Sequence, residues 1–135
     1  MILLVSMALA GSLPGPWDVP LEGLDVAVIS SGEAVDPEDH LAEGKFTVID
    51  IGAAWCAPCH VAAGTLRDYL YEHDDVAVRV VDLPETPSEA SVAPAMELLG
   101  GREMIPYLIV YAPDGRVVYR GHRVQRALKR IDRKR

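Results

Sequence analysis

The sequence contains little cysteine and few aromatic side chains. Two of its 135 residues are cysteine, and Phe, Trp and Tyr together make up 6%. Two cysteines cannot form the set of disulfides that holds small secreted scaffolds together. The chain must therefore fold around an ordinary hydrophobic core, and 135 residues, half of them hydrophobic, are enough for one domain of this kind.

The chain also lacks an apolar run of membrane-spanning length and a net positive charge. Residues 1–10 are apolar except for Ser6, but ten residues cannot cross a bilayer, so no transmembrane helix is expected. The net charge of -7 argues against general binding of nucleic acids. The charge is unevenly distributed, because residues 120–135 carry eight Lys or Arg and one Asp, a local charge of +7 that leaves -14 for the rest.

The N-terminal twenty residues divide into two parts. Residues 1–10 end in Ala-Leu-Ala before Gly11, which is similar to a signal-peptide cleavage site, although the usual basic leading region is missing. The alternative is a wrongly assigned start codon or a free apolar N-terminus. We favour an extracytoplasmic location, periplasmic or secreted, over a cytoplasmic one. Residues 11–20 are rich in Pro and Gly and are interpreted as a tether, so that residues 21–135 form the domain.

Hydrophobic periodicity predicts alternating strands and helices. Runs of apolar, mostly β-branched residues predict strands at 26–29, 46–51, 76–81, 107–111 and 117–120. Capping signals and apolar positions at helical spacing predict helices from Pro37 to Gly44, from Cys56 onward, at 91–99 and at the C-terminus. This order predicts an α/β fold of three layers, with a mixed central β-sheet flanked by helices on both faces.

The two cysteines occur in the motif Trp55-Cys56-Ala57-Pro58-Cys59, directly after a predicted buried strand. At positions i and i+3 of a helix start, the two sulfurs can form a disulfide with little movement of the backbone. So short a loop loses little entropy on closure, which favours a reversible dithiol over a structural cross-link. Cys59 falls on the buried stripe of the helix, whereas Cys56 lies at its solvent-accessible N-terminus. There the helix dipole lowers the pKa of the Cys56 thiol, so we predict that Cys56 is the nucleophile and Cys59 the resolving thiol.

Three further features accompany the cysteine motif: Val48-Ile49-Asp50 within the predicted strand 46–51, the pair Ile105-Pro106 before the fourth strand, and Gly121 after the fifth. On these features, residues 24–135 resemble the thioredoxin family. The resemblance implies a thioredoxin-like fold in which Asp50 lies beneath Cys59 and accepts and returns its proton. A carboxyl group in an apolar strand should have a raised pKa. The alternative for Asp50 is a solvated strand end.

The same resemblance implies a substrate-binding surface and an activity. Trp55, Ile105 and Pro106 would contact the substrate, with a cis Ile105–Pro106 bond facing the cysteines. The implied protein is a monomeric thiol–disulfide oxidoreductase that needs no cofactor and no metal and exchanges disulfides with protein substrates and an unidentified redox partner. Ala57 and Pro58 add no charge that would over-stabilise a thiolate, so the reducing direction is favoured.

The chain departs from the family pattern at two glycines. Gly52 stands where the family often has an aromatic residue, and Gly64 stands where many members have a proline that kinks the helix. Both glycines are expected to loosen the site without removing a reacting group.

Two other functions fit parts of the motif. The residues from Cys56 to His60 also match the attachment pattern of c-type haem, in which His60 would ligate the iron. Alternatively, the two thiols and a histidine could carry a metal ion on the same fold. In the oxidoreductase interpretation His60 is a surface residue without a role.

Overall fold

The computed structural model describes residues 14–84 and 104–135. The apolar segment at residues 1–10 and the helix predicted at 91–99 lie outside these ranges. Within the two described ranges, no helix is long and apolar enough to cross a membrane.

The core of the fold is a five-stranded mixed sheet with the order β1-β3-β2-β4-β5. The strands are β1 (Val26–Ser30), β2 (Phe46–Ala53), β3 (Val76–Leu83), β4 (Tyr107–Tyr111) and β5 (Val117–Gly121). β3 pairs in parallel with β1 and β2, whereas β4 pairs antiparallel with β2 and β5. The predicted mixed α/β sheet is therefore confirmed.

Strand β2 lies in the centre of the sheet, and all eight of its residues are buried. Successive side chains of a strand point to opposite faces. Val48 accordingly packs into the core cluster that includes residues of both α-helices, whereas Ile49 and Ile51 pack into a second cluster on the other face. Asp50 lies on the same face of β2 as Val48 and therefore points toward the helices.

The two α-helices described are α1 (Ala57–Glu72) and α2 (Val124–Lys134), and both contribute to the same core cluster. Their buried faces match the apolar positions predicted from the sequence, namely Cys59, Ala62, Ala63, Leu66 and Leu70 in α1 and Ala127, Leu128 and Ile131 in α2. The second cluster, on the other face of the sheet, is contacted by residues that flank a short 3-10 helix, Pro37–His40.

This 3-10 helix is shorter than predicted. Asp36 caps it as expected, accepting a hydrogen bond from the Glu38 amide, but it ends at His40 and Leu41 is already extended. Gly44 does not end the helix. It belongs to a separate turn closed by a hydrogen bond from the Lys45 amide to the Ala42 carbonyl, and its φ of 74° is one that glycine adopts without strain.

The predicted tether is more ordered than its composition suggests. Residues 14–20 form no strand or helix, but Trp17 is buried in the core cluster beside α1. Arg67 of α1 donates a hydrogen bond to the Pro16 carbonyl at 2.7 Å, and its guanidinium group lies 5.8 Å from the centre of the Trp17 ring. These contacts fix the segment before β1 against the helix that carries the cysteines.

Candidate active site

The cysteines lie where strand β2 passes into helix α1. A hydrogen bond from the Cys56 amide to the Ala53 carbonyl, 3.2 Å long, turns the chain at the end of the strand. Cys56 is the N-cap of α1, with extended backbone angles. Pro58 fits the first helical turn because the amide it lacks has no partner within a helix there. The strand therefore delivers Cys56 directly to the positive end of the helix dipole.

Cys56 and Cys59 form a disulfide, with Cα atoms 5.2 Å apart. The Cys56 sulfur also accepts the amide N–H of Cys59 at 3.2 Å. Cys59 is 1% exposed, in agreement with its predicted place on the buried stripe. Cys56 is 7% exposed in this oxidised form, so this residue is more accessible than Cys59 but largely covered. Neighbouring residues cover it, including Ile105, whose carbonyl oxygen lies 3.8 Å from the Cys56 sulfur.

The Ile105–Pro106 bond is cis and lies directly beside the disulfide. Pro106 is buried, whereas Ile105 is partly exposed. The Nδ1 atom of His122 lies 3.0 Å from the Pro106 carbonyl oxygen and can donate a hydrogen bond to it. The backbone of Ile105 is thus held next to the sulfur that would receive a substrate.

Trp55 directly precedes Cys56 and lies at the surface of the protein. Its side chain is 45% exposed although its indole N–H donates a hydrogen bond to the Pro84 carbonyl at 2.9 Å. This hydrogen bond fixes the ring in place while leaving much of its apolar surface in water. Of the three residues predicted to contact substrate, Ile105 lies against the Cys56 sulfur, Trp55 precedes Cys56 in the chain, and Pro106 follows Ile105 across the cis bond.

Asp50 is a buried acid on the helix-facing side of β2 and is 3% exposed. Its Oδ2 accepts a hydrogen bond from the Trp17 indole at 2.9 Å, and its Oδ1 has no hydrogen-bond partner within the described part of the chain. Burial raises the pKa of Asp50 from 3.8 to about 6, the Trp17 hydrogen bond lowers this pKa, and the nearby charge of Asp82 raises it. The alternative of a solvated strand end is excluded by this burial.

Gly52 connects Asp50 with the disulfide. A Cβ atom at Gly52 would lie 3.2 Å from both the Cβ and the sulfur of Cys59, closer than ordinary contact. Asp50 and Gly52 lie on the same face of β2, about 7 Å apart along the strand. Gly52 was expected to loosen the site, but it permits close packing of Cys59 against the strand that carries Asp50.

Sequence reasoning missed two residues that act on Asp50. Trp17 belongs to a segment interpreted as a tether, and Asp82 appeared to be an ordinary residue of β3. Asp82 pairs with Gly52 in the sheet, and partial burial raises its own pKa. A buried tryptophan needs a partner for its N–H, which is the physical rule that could have directed attention to Trp17.

His60 has a structural contact that the sequence did not reveal. Its Nε2 lies 2.7 Å from the carbonyl oxygen of Ala54 and connects the first turn of α1 to the loop before Trp55. Within the described residues, no group of three or more His, Cys, Asp or Glu side chains could hold a metal ion. The two sulfurs of the motif are bonded to each other in the disulfide.

No protein-family model matches the chain. A thioredoxin of Alicyclobacillus acidocaldarius is 32% identical over 75 residues, which are 51% of this chain and 71% of that protein. The structure of Trichomonas vaginalis thioredoxin has a TM-score of 0.62 and 18% identity, and the similarity covers 82% of this chain and 98% of that one. The thioredoxin f2 complex with ferredoxin:thioredoxin reductase gives a TM-score of 0.59 and 20% identity over 82% of this chain and 94% of that one. These two structures are similar to this chain in fold.

Proposed function

The chain belongs to the thioredoxin family and is a dithiol–disulfide oxidoreductase, and from this premise we propose that it reduces protein disulfides through Cys56 and Cys59. The observation that carries the proposal is the position of the pair: Cys56 caps helix α1, and its sulfur lies 3.8 Å from the carbonyl oxygen of the partly exposed Ile105. Neither haem attachment nor metal transport is supported by the comparisons.

In the first step the reduced protein attacks its substrate. The Cys56 thiolate attacks one sulfur of the substrate disulfide, forming a mixed disulfide, and the second substrate sulfur leaves as a thiolate that takes a proton from water. The Cys59 amide, which donates to the Cys56 sulfur, and the helix dipole both stabilise the attacking thiolate. The Ile105 backbone gives an extended substrate segment a place to pair.

In the second step Cys59 releases the product. Asp50 accepts the Cys59 proton, the Cys59 thiolate attacks the Cys56 sulfur, and the substrate leaves as its second thiolate. Two electrons have then passed from the protein to the substrate, and the Cys56–Cys59 disulfide is formed. With a pKa of about 6, Asp50 is mostly ionised at neutral pH and can accept this proton.

The surroundings of Cys56 support the reducing direction. Ala57 and Pro58 place no charged or hydrogen-bonding side chain between the cysteines, so the thiolate is not stabilised beyond the effect of the helix. A dithiol of this kind needs an electron donor to restore it. The fold neighbour in complex with ferredoxin:thioredoxin reductase supports a separate reductase as that donor.

Trapping tests the roles of the two cysteines. A Cys59→Ser variant should accumulate a mixed disulfide through Cys56 when it is reduced and mixed with a protein disulfide, because the resolving thiol is missing. A Cys56→Ser variant should accumulate none, because Cys59 is buried. Non-reducing gels and mass spectrometry identify the linked residue. An adduct linked through Cys59 in the Cys56→Ser variant would refute the assignment.

The reduction potential tests the direction. We expect a reduction potential of roughly -270 to -200 mV in glutathione or dithiothreitol buffers, the range spanned by thioredoxin and the glutaredoxins. A value near about -120 mV would identify an oxidant instead.

The location of the protein is a separate part of the proposal. The apolar residues 1–10 and the small residues around position 10 support export, with removal after Ala10. N-terminal sequencing of the mature protein from cell fractions tests this. A cytoplasmic protein that keeps Met1 would contradict it.

A further inference from the structure

A groove beside the disulfide runs between helices α1 and α2 at the surface of the protein. One wall is formed by Pro58 and Val61 of α1, Pro106 lies between the helices, and the other wall is the start of α2. The groove has a volume of about 520 Å³ and opens to solvent next to the reactive pair. A segment of a substrate bound to Cys56 can therefore extend into it.

The groove combines an apolar wall with a basic rim. Val61 is 71% exposed, an unusually open position for an aliphatic side chain near a reaction centre. Arg123, Arg126 and Lys129 line the opposite side, and all three are exposed. None of the three forms an ion pair with a carboxylate in the ranges 14–84 and 104–135. Within the described part of the chain, no carboxylate therefore neutralises this basic rim.

The basic rim is local in an acidic protein. Residues 120–135 carry +7, while the rest of the chain carries -14. Arg126 and Lys129 also line a second surface cavity with Arg130 and Arg133, so the positive surface continues along α2 away from the groove. An acidic segment would be attracted to this side of the molecule and repelled elsewhere, which favours a defined direction of approach.

We propose that the basic groove selects substrates whose disulfide is flanked by acidic residues. This inference rests on the proposed reduction of protein disulfides and adds the substrate class. Acidic side chains would pair with Arg123, Arg126 and Lys129, while an apolar side chain of the substrate would contact Val61. Attraction between opposite charges accelerates encounter, so the preference should appear in the second-order rate of the first exchange step.

The test uses three disulfide-linked peptides that differ only in flanking residues, which are acidic, neutral or basic. Pre-reduced protein is mixed with each peptide in a single turnover, quenched with acid and separated by chromatography. At low salt the acidic peptide should react roughly ten-fold faster than the basic one, and added salt should reduce the difference.

Charge reversal locates the effect. Arg126→Glu/Lys129→Glu should remove or invert the preference for the acidic peptide. The control Arg116→Glu/Lys134→Glu makes the same change in net charge at the β4–β5 turn and at the end of α2, outside the groove, and should retain most of the preference. Circular dichroism confirms that both variants fold.

The outcomes are distinguishable. If the wild type reduces all three peptides at one rate, or if both variants lose the preference equally, the inference is wrong while the proposed function stands. If no peptide is reduced, the proposed function itself fails. If the peptides react alike but vesicles containing phosphatidylglycerol bind the wild type and not the groove variant, the groove serves a membrane and the inference is overturned.

Discussion

Replacing Asp50 by Asn should change the pH dependence of stability. Asn keeps the shape of the side chain and an oxygen that can accept the Trp17 hydrogen bond, but it does not titrate. The pKa of Asp50 is about 6 in the folded protein and 3.8 as an ordinary carboxyl. Because the folded state has the higher pKa, it binds the proton more tightly than the unfolded chain, and this contribution to stability is lost as pH rises.

The size of the effect follows from the two pKa values. A difference of one in pKa corresponds to about 1.4 kcal/mol, so burial of Asp50 costs the wild type about 3 kcal/mol once the group is ionised in both states. The stabilising contribution is complete below about pH 4 and is lost above about pH 6. The new amide donors of Asn add a penalty of about 1–3 kcal/mol if they find no partner, but this penalty does not vary with pH.

Urea unfolding of both oxidised proteins at intervals from pH 4 to pH 8 measures the difference. The stability of Asp50→Asn relative to the wild type should rise by about 2.5 kcal/mol across this range, because the carboxyl of the unfolded chain is already partly ionised at pH 4. Asp114→Asn serves as a flat control, because the amide of Arg116 holds the pKa of Asp114 below its usual range and this carboxyl therefore stays largely ionised from pH 4 to pH 8. A relative stability of Asp50→Asn that stays flat with pH would show that Asp50 is not a buried acid with a raised pKa.

Two further predictions concern neighbours of the same acid. Trp17→Phe keeps a large apolar ring but removes the N–H donor, so the pKa of Asp50 should rise. The pH profile of mixed-disulfide resolution, measured by rapid-quench kinetics, should then move to higher pH. An unchanged profile would contradict this role of Trp17. Gly52→Ala should destabilise the oxidised protein by about 1–3 kcal/mol in urea unfolding, because its Cβ would crowd Cys59. The control Gly64→Ala meets only ordinary contact and should gain about 0.5–1 kcal/mol as a helix residue, so equal effects at the two glycines would refute the crowding.

The sheet and helices could be predicted because their signals are local. A nearly all-apolar run at 46–51 identified β2, and helical spacing of apolar residues identified the buried face of α1. The raised pKa of Asp50 was predicted by its position in this mostly apolar strand. Each of these inferences depends only on residues close together in sequence, where periodicity and capping carry the information.

The remaining features depend on contacts between distant parts of the chain. Trp17 and Asp50 are 33 residues apart, and no pattern links them. The burial of Cys56 depends on Ile105, whose backbone reaches it only after the sheet has formed. The close packing at Gly52 depends on how near α1 approaches β2, a distance that hydrophobic periodicity does not determine.

The anchoring of Trp17 determines where the chain can be shortened. Cleavage after Ala10 would leave Pro16, Trp17 and their contacts with Arg67 intact, so a processed protein keeps its full core. Truncation at residue 24, where the family resemblance begins, would leave a cavity beside α1 and deprive both oxygens of Asp50 of hydrogen-bond donors within the described residues. The core seen in the structure therefore extends about ten residues upstream of the first strand.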